Sequence, residues 1–586
     1  MPPILTEIAG QKLNGEQTSY LDGFFSGLRN RGLKFADIEP SPVAAGGRAS
    51  SSAELEDLIP EERLKRESHP LDSYPLLLQH AAAKQAPDTE NTFRFKWHGL
   101  FYLAPHTEGY MARLRIPGGQ MRTFQLREIA HVAQQLTTGY VQITTRSNLQ
   151  LRLIQPKDAP EVLRRIQGVG LHTRGSGADN IRNLTCNPTA GIDPAELIDT
   201  LPYTLELGQF ILNHREFYDL PRKFNIAFDG GGHIGAVEDT NDIGLKAVRV
   251  TAAGGGVSPG VYFRVSLGGA TGHKAFARDL GVLVKPEEVL RTTVALVRVY
   301  IANGNRGDRK KARLKHLLET WSLEKYLAET EKLLGFQLLR APADLKFETS
   351  NLPTPVAPHS HIGVFPQKQP GLNYVGVALP VGQITPKQLL RLADLVDNYG
   401  TGEIRLTVWQ NLVIPNVSDA YVEPLKKALV KMGLHWQQSN LRSGFVACTG
   451  NAYCKFAGAN TKAHALELAD YLEQRFQLDR PINIHLTGCA NSCAQHYMGD
   501  IGLLGTKVKI AGASVEGYHV FVGGGFGADQ ALGRQVFQGI SFAELKPTLE
   551  RMLKGYLRHR QPGERFQAFT QRHDPNQLQV LFSAED

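Results

Sequence analysis

The stretch at residues 117–150 reads PGGQMRTFQLREIAHVAQQLTTGYVQITTRSNLQ. It has a counterpart at residues 380–413, which read PVGQITPKQLLRLADLVDNYGTGEIRLTVWQNLV. The two stretches align without a gap at an offset of 263 positions, and the alignment continues to His172 and His435. Each copy has the pattern of strand, helix, strand and helix, with alternating segments such as the Val-Gln-Ile-Thr that begins at Val141. The chain therefore contains an internal duplication, and we expect its fold class to be α+β.

A second pair of similar segments follows the repeats. FRVSLGGATG from Phe263 resembles YHVFVGGGFG from Tyr518, and FNIA from Phe224 resembles INIH from Ile482. Because both the repeats and these later segments are duplicated, we expect a multidomain structure of α/β sandwich type with pseudo-twofold symmetry. Ligand sites form preferentially between domains, so a cofactor is expected at the interface of the two halves.

Four of the five cysteines form two pairs, Cys448-x5-Cys454 and Cys489-x3-Cys493. Zinc sites usually pair cysteines two to four residues apart, whereas a four-cysteine iron–sulfur cluster accepts wider and uneven spacing. Two disulfides are the alternative without a metal, and they are unexpected in a chain whose N-terminus lacks a signal peptide. The pattern favours an iron–sulfur cluster over zinc. The fifth cysteine, Cys186, is interpreted as a small buried hydrophobic residue.

Length, charge and hydropathy limit the possible functions. The chain has 586 residues, which predicts two to four domains, and it has no apolar run long enough to cross a membrane. The N-terminal MPPILTE lacks the basic and apolar regions of a signal peptide, so we expect a cytoplasmic protein. The net charge of +8 comes without a recognisable nucleic-acid-binding motif, which instead favours an internal anionic cofactor or an acidic protein partner.

The cysteine segments carry a resemblance to a known family. CTGNAYC at 448–454 and LTGCANSC at 486–493 resemble the cluster motif of the sirohaem-containing nitrite and sulfite reductases. The resemblance covers about residues 90–586 and implies paired ferredoxin-like repeats and two larger α/β domains that enclose a sirohaem and a [4Fe-4S] cluster. It implies that Cys448, Cys454, Cys489 and Cys493 ligate the cluster and that Cys493 also bridges to the sirohaem iron. A shared thiolate would couple the two centres electronically.

On this basis we expect five segments along the chain. They are an N-terminal helical extension and linker at 1–90, a ferredoxin-like repeat at 91–173, an α/β sirohaem and substrate domain at 174–345, a second repeat at 355–438 and an α/β cluster domain at 439–586. The extension contains a candidate amphipathic helix from Tyr20 to Leu28 and a polar linker from Pro40. We expect the whole extension to be peripheral to the chemistry.

The resemblance also assigns roles to basic residues. Arg113, Arg182, Lys223 and Asn225 are implied to line the substrate side of the sirohaem, where cations bind an oxyanion and stabilise its developing charge. The eight carboxylates of the macrocycle require further cations and hydrogen-bond donors. The residues implied to bind the sirohaem are Arg113, Arg146, Asn148, Gln150, Arg152, Arg182, Arg222, Lys223, Asn305, Arg306, Arg309, Lys315 and Cys493. Taken singly, any of these cations is more often a solvated surface charge.

The repeat alignment indicates that the two halves have diverged. Arg146 aligns with Trp409, and Arg113 aligns with Gly376. We therefore expect the first half to bind an anion where the second half fills space.

The segment Lys223-Phe224-Asn225 bears on the substrate. At this position the pattern of the family's sulfite reductases looks like Lys-x-Lys, and that of its ferredoxin-dependent nitrite reductases looks like Lys-x-Asn. Sulfite approaches two negative charges and nitrite carries one, so the missing cation agrees with nitrite. We expect the six-electron reduction of nitrite to ammonia, with the reduction of sulfite to sulfide as the alternative.

Electrons are expected to come from a separate protein. GGGFGA from Gly523 does not match a dinucleotide-binding loop, and no flavin or nicotinamide module is evident. We expect an acidic ferredoxin as donor to a monomeric enzyme that binds neither nucleic acid nor membrane. Two further hypotheses remain open from the sequence: a zinc-dependent structural or nucleic-acid-binding protein, and a related tetrapyrrole enzyme with another task, such as corrin-pathway oxidation.

Overall fold

The computed structural model describes residues 7–8, 11–12, 58–103, 108–137, 139–342, 345–352 and 361–583. The chain forms two compact units, Met1–Asp57 and Leu58–Asp586. In the first unit, the short strands Glu7–Ile8 and Gln11–Lys12 pair antiparallel. The predicted amphipathic helix and the polar linker lie outside the described residues.

The two repeats form two antiparallel sheets of five strands, each with two helices. In spatial order the first sheet contains Gln383–Ile384, Val141–Ile143, Leu149–Ile154, Tyr110–Arg113 and Leu100–Tyr102, and the second contains Gly363–Pro366, Leu372–Val377, Leu412–Ser418, Glu403–Leu406 and Gln120–Arg122. The helices are Thr123–Leu136, Ala159–Gly168, Pro386–Tyr399 and Asp419–Lys431. Within the aligned stretches each repeat has, in chain order, a strand, a helix, two strands and a helix, so the predicted pattern is confirmed except that a pair of strands stands where one was expected.

Local sequence explains where the helix Pro386–Tyr399 begins. The Thr385 hydroxyl accepts the Gln388 N–H, and the Gln388 side chain accepts the Thr385 N–H, so a reciprocal capping box starts the helix Pro386–Tyr399. Leu389 and Leu392 follow at helical spacing and are buried in the core.

The repeats exchange strands with each other. Gln120–Arg122 from the first repeat pairs with Glu403–Leu406 of the second sheet, and Gln383–Ile384 from the second repeat pairs with Val141–Ile143 of the first. Apolar residues of both repeats form a single hydrophobic core. The two repeats are therefore one structural unit with pseudo-twofold symmetry, although each is continuous in sequence.

The first α/β region contains a sheet of seven strands. In spatial order it has Leu339–Arg340, Arg278–Val284, Gly260–Leu267, Ile243–Val250, Phe224–Asp229 and Ile181–Thr185, and Phe347–Glu348 also pairs with Ile243–Val250. Its helices are Leu201–Asn213, Val289–Asn303, Leu314–Thr320 and Leu323–Leu334. Cys186 follows the strand Ile181–Thr185 and is buried in this region's core, as the sequence predicts.

The second α/β region repeats this arrangement with five strands. They are, in order, Phe445–Ala447, Ile484–Thr487, Ile501–Ile510, Ala513–Val522 and Arg534–Ser541, with helices Thr461–Glu473, Phe542–His559, Phe566–Gln571 and Pro575–Ser583. In both regions the first three of these strands in chain order pair parallel and the next two pair antiparallel. The structure thus confirms the duplication predicted for the segments after the repeats.

Residues 58–98 pack into the body of the protein. Their helices are Pro60–Glu67, Tyr74–Ala83 and Thr89–Arg94. Leu77 is buried in the core of the repeats, and the Trp97 indole donates to the Tyr218 carbonyl at 2.7 Å. This part of the extension is integrated into the fold, because its apolar side chains and buried charges contact both the repeats and the first α/β region. None of the described helices has the length and apolar character that crossing a bilayer requires.

Candidate functional site

A cavity of about 480 Å³ lies where the repeats meet the two α/β regions. All four clustered cysteines line it, and so do eight of the chain's lysines and arginines, whereas no Asp or Glu of the described residues does. The cations are Arg113, Arg146, Arg152, Arg182, Arg222, Lys223, Arg313 and Lys462. Arg222 and Arg313 pair with aspartates outside the cavity lining, and the other six cations have no acidic partner among the described residues, which favours an anionic occupant.

Two neighbouring parallel strands bring the cysteines together. Cys448 follows the strand Phe445–Ala447, and Cys489 follows the adjacent strand Ile484–Thr487, so both lie at the same edge of the sheet. The Gly488 N–H donates to the Cys448 sulfur at 3.1 Å. This bond places the two cysteine loops against each other.

Close packing decides the backbone of the second loop. A side chain at Gly488 would meet the Cβ atom of Ala457 at 2.5 Å, so only glycine fits there. The left-handed positions of this loop are Ser492 and Gln495. Asn491, in the same loop, is not among them.

The arrangement of thiols agrees better with a cluster than with zinc. All five cysteines are free thiols. No three His, Cys, Asp or Glu side chains in the described part of the chain converge closely enough to hold a single metal ion. Desolvation and then the neighbouring Cys448 raise the pKa of the Cys493 thiol to about 11, while Lys223 favours its thiolate form. Four thiols spread around one cavity fit a polynuclear cluster, whose iron atoms each take one thiolate.

Arg113, Arg182, Lys223 and Asn225 lie together in the cavity, as the resemblance implied. Arg113 and Arg182 both donate to the Ser176 carbonyl, at 3.4 and 2.8 Å. Lys223 and Asn225 flank Phe224 at the start of a strand, so both face the cavity while Phe224 is buried in the core.

These groups have few partners within the protein. Lys223 forms no hydrogen bond or ion pair with any residue that the structure describes, and burial and then Arg313 lower its pKa to about 7. Burial and then Arg113 hold the pKa of Arg182 well below its usual value, and the buried Nε of Arg182 lacks a hydrogen-bond partner. An anion placed here would meet donors that are already oriented and desolvated.

The other predicted residues that line the cavity differ in how many hydrogen bonds they already make within the protein. Arg146 donates to the Asn241 side chain at 2.7 Å, and burial lowers its pKa to about 10. Arg152 donates to Gln142 at 2.7 Å, to Gln150 at 2.5 Å and to the Thr449 hydroxyl at 2.6 Å. Its partners are all neutral, so Arg152 joins the cluster loop to the first repeat and keeps its charge uncompensated.

Asn148 and Arg222 complete the predicted set that lines the cavity. The Asn148 side chain accepts the Thr144 hydroxyl at 2.6 Å, which closes the turn between two strands of the first repeat. Arg222 lies 3.5 Å from Asp179 and half-buried at the edge of the cavity.

Four predicted sirohaem ligands are directed elsewhere. Asn305 caps its own loop by accepting the Gly307 N–H at 2.9 Å. Arg306 pairs with Glu62 and Asp219, Arg309 makes two 2.8 Å bonds to Asp179, and Lys315 pairs with Glu319. None of the four lines the cavity. Acidic residues of other segments compete for Arg306 and Arg309, and a glutamate one helical turn away competes for Lys315, which the basic run by itself does not reveal.

The structure adds residues that sequence reasoning missed. Arg313, from the same basic run, lines the cavity and makes bonds of 2.7 and 3.2 Å to the buried Asp242. Asp242 also accepts the Asn225 backbone N–H at 2.9 Å. Lys462 lies beside the cluster loop. A basic run was a usable signal for Arg313, but nothing in the sequence separates Lys462 from a surface lysine.

The second half fills the positions that align with the anion-binding residues. The Cβ position of Gly376, the counterpart of Arg113, is 1.7 Å from the His361 carbonyl oxygen, so no side chain fits. Trp409, the counterpart of Arg146, packs against Phe526 with ring centroids 4.9 Å apart. The second half thus fills space at these positions, as expected, whereas Arg113 and Arg146 line the cavity in the first half.

The cavity fits the two groups that the resemblance implies. Cys448, Cys454, Cys489 and Cys493 supply the thiol set for a [4Fe-4S] cluster. The surrounding guanidinium and ammonium groups, several with pKa values lowered by burial and mutual repulsion, suit the carboxylates of a sirohaem.

Comparisons with known proteins agree. The family model for the nitrite and sulphite reductase 4Fe-4S domain matches residues 177–338 and 439–584, and the model for the nitrite/sulfite reductase ferredoxin-like half domain matches 103–169 and 365–432. The ferredoxin–nitrite reductase of Synechococcus elongatus is 38% identical over 520 residues, covering 86% of this chain and 98% of the relative. The chloroplastic ferredoxin–nitrite reductase of Zea mays is 34% identical, covering 85% and 89%.

A solved structure shares the fold. The Mycobacterium tuberculosis NirA protein superposes with a TM-score of 0.81 at 30% identity, covering 89% of this chain and 97% of that one. The matched segments contain both cysteine pairs and both repeats. This chain belongs to the nitrite and sulfite reductase family.

Proposed function

We propose that this protein reduces nitrite to ammonia with six electrons from reduced ferredoxin. The observation that carries the proposal is the cavity itself, in which Arg113, Arg182 and Lys223 lie in the same space as the four cysteines with no carboxylate among its described lining residues. Relatives that match more than four fifths of the chain are named ferredoxin–nitrite reductases, which supports the same substrate and donor.

The protein holds the cofactor pair of its family, a sirohaem and a [4Fe-4S] cluster. When bound, the sirohaem supplies the iron at which the anion is reduced, and the cluster supplies the electrons. Cys448, Cys454, Cys489 and Cys493 would hold the cluster, and Arg146, Arg152, Arg222 and Arg313 would face carboxylates of the macrocycle. Arg313 shares its charge with Asp242, so less of that charge is left for a carboxylate of the macrocycle.

The chain's own residues bind the anion and deliver protons. Arg113 and Arg182 act as permanent cations that orient the anion and stabilise negative charge on its oxygens, because a guanidinium hardly deprotonates. Lys223 can also donate a proton, since burial brings its pKa to about 7, close to the pH at which such a group both holds and releases a proton. Converting nitrite to ammonium and two waters consumes protons at every stage, so this position suits a proton donor.

Asn225 supports nitrite over sulfite. Its amide faces the cavity two residues from Lys223, where a lysine would add a second ammonium group. A neutral side chain lowers the local positive charge to a level that suits a monovalent anion.

An acidic ferredoxin would be attracted by the overall positive charge of the protein, whose net charge is +8. We also propose a monomer, because one chain supplies the whole cavity wall and all four cysteines. The free state of all five cysteines suits a reducing compartment, which supports a cytoplasmic location. Light scattering during size-exclusion chromatography tests the monomer, and cell fractionation tests the location.

Steady-state kinetics of the cofactor-loaded protein test the proposed reaction. With reduced ferredoxin as donor, we expect ammonia as the product and a higher kcat/KM for nitrite than for sulfite. A higher kcat/KM for sulfite would assign the protein to the alternative reaction.

A further inference from the structure

Lys462 is a buried lysine that none of the roles described above uses. It is the second residue of the helix Thr461–Glu473, is 7% exposed, and lines the cavity beside the cysteines. Its ammonium group donates to the backbone carbonyl oxygens of Val381 and, at 3.2 Å, of Ala447. Among the described residues it has no acidic partner, so its positive charge is not neutralised by the protein.

One of the two carbonyls that Lys462 binds, that of Ala447, belongs to the segment that presents Cys448, and the other, that of Val381, belongs to the second repeat. Ala447 directly precedes Cys448 and is also held by Gln410, which makes two 2.9 Å bonds to the Ala447 backbone. The Thr461 hydroxyl, adjacent to Lys462, donates to the Cys448 carbonyl at 2.8 Å. The start of this helix and the second repeat therefore fix the backbone of the first cysteine ligand together.

The charge of Lys462 is placed where a cluster thiolate would feel it. The Lys462 Nζ lies 3.2 Å from the carbonyl oxygen of Ala447, the residue that precedes Cys448, and both Lys462 and Cys448 line the same cavity. A buried lysine without a carboxylate partner is costly, and a glutamine could make the same bonds to carbonyl oxygens without the charge. The presence of a lysine at this buried position thus points to a use for its charge.

We propose that Lys462 is a positioning residue that orients the Ala447–Cys448 segment and raises the reduction potential of the iron–sulfur cluster. This inference rests on the cofactor pair given under the proposed function. A fixed positive charge favours the reduced, more negative state of a cluster, because potentials of these centres follow local charge and hydrogen bonding. Lys462 would thereby make the cluster easier to reduce by its external donor.

The test compares Lys462→Gln, which keeps hydrogen-bond donors and removes the charge, with Lys462→Arg, which keeps the charge. The midpoint potential of the cluster in the cofactor-loaded protein is measured by a redox titration followed by electron paramagnetic resonance, with iron and acid-labile sulfide determined in parallel. We expect full cluster content and a more negative potential in the glutamine variant, and a potential nearer the wild-type value in the arginine variant.

Lys387→Gln is the matched control. Lys387 is also the second residue of a helix, Pro386–Tyr399, but it is exposed, so we expect the wild-type potential. A glutamine variant at 462 with full cluster content and the wild-type potential would overturn the inference, and so would equal shifts in the glutamine and arginine variants. If Lys462→Gln loses iron and sulfide while Lys462→Arg retains them, the charge is required to hold the Cys448 segment, which supports it.

These measurements need no turnover, so they remain informative if nitrite is not the substrate. If the wild-type protein does not reduce nitrite, the proposed reaction is wrong. The redox titration of the Lys462 variants would still test the effect of Lys462 on the cluster potential.

Discussion

The Thr145 hydroxyl donates a hydrogen bond of 2.9 Å to the backbone carbonyl of Cys493, although the two residues are 348 positions apart. Thr145 lies in the turn between two strands of the first repeat, and the equivalent turn of the second repeat contains Gln410, which binds the Ala447 backbone next to Cys448. Each repeat therefore supports one of the two cysteine loops through the same turn. The pseudo-twofold pair acts as a rigid base for the metal centre.

Thr145→Val should remove the bond to the Cys493 carbonyl without changing the size of the side chain. We expect the free energy of unfolding to fall by about 1 kcal/mol, the usual net value of one such bond, as measured by urea denaturation. Thr145→Ser retains the hydroxyl and should keep most of the stability. A loss confined to Thr145→Ser, which lacks the methyl group, would show that the methyl group matters instead of the hydrogen bond.

Asn225→Lys should move selectivity toward sulfite. The added ammonium group would face the cavity near Lys223 and favour the more highly charged anion. We expect the ratio of kcat/KM for sulfite to that for nitrite to rise about ten-fold, equivalent to about 1.4 kcal/mol of differential binding. Asn225→Gln, which adds length without charge, is the control. An unchanged ratio in the lysine variant would place the selectivity elsewhere.

The pKa of Lys223 predicts a pH dependence of nitrite reduction. Its pKa is lowered to about 7, so the group is a cation below that pH and loses its charge and its proton as the pH rises above it. We expect kcat/KM, which reports the free enzyme, to fall as the pH increases through this region. Lys223→Arg keeps the charge at all these pH values and should flatten the fall, with a lower kcat because arginine is a poor proton donor. A profile identical to that of the wild type would exclude Lys223 as its origin.

Lys65→Met should destabilise the protein strongly. The Lys65 ammonium group is completely buried and lies 3.2 Å from Asp219 and 3.8 Å from Asp179, beside the buried Glu62. Removing it leaves carboxylates without their cation, which typically costs about 3–5 kcal/mol. Urea denaturation of the protein should detect this loss. Lys332→Met removes an exposed lysine and should change the stability by less than about 0.5 kcal/mol. A similarly small effect at position 65 would mean that water reaches the carboxylates of Glu62, Asp179 and Asp219.

The apparent affinity for ferredoxin during turnover should fall as the ionic strength rises. The attraction between a protein of net charge +8 and an acidic donor is screened over about 8–10 Å at physiological ionic strength. We expect the KM for ferredoxin to increase between low and moderate salt, while turnover with a reduced viologen dye changes little. If the KM for ferredoxin is independent of salt, the contact does not depend on charge.

The sequence by itself was sufficient for the duplication, the α+β class and the cysteine set. Periodicity and motif spacing are local properties, and each persists in the fold because strands and helices form from neighbouring residues. The same information placed Arg113, Arg182, Lys223 and Asn225 in one site through resemblance, and the structure brings these four together.

Only the tertiary structure decided which members of the basic run reach the cavity. Asp179 and Asp242 are both fully buried, yet Asp179 draws Arg309 away from the cavity and Asp242 fixes Arg313 within it. The exchange of edge strands between the repeats was equally hidden, because pairing partners lie hundreds of residues apart and the strand pattern is the same whichever sheet receives it. The pairing of buried charges and of strand edges depends on which groups come into contact. The partners come from distant parts of the chain, so only the tertiary structure decides these contacts.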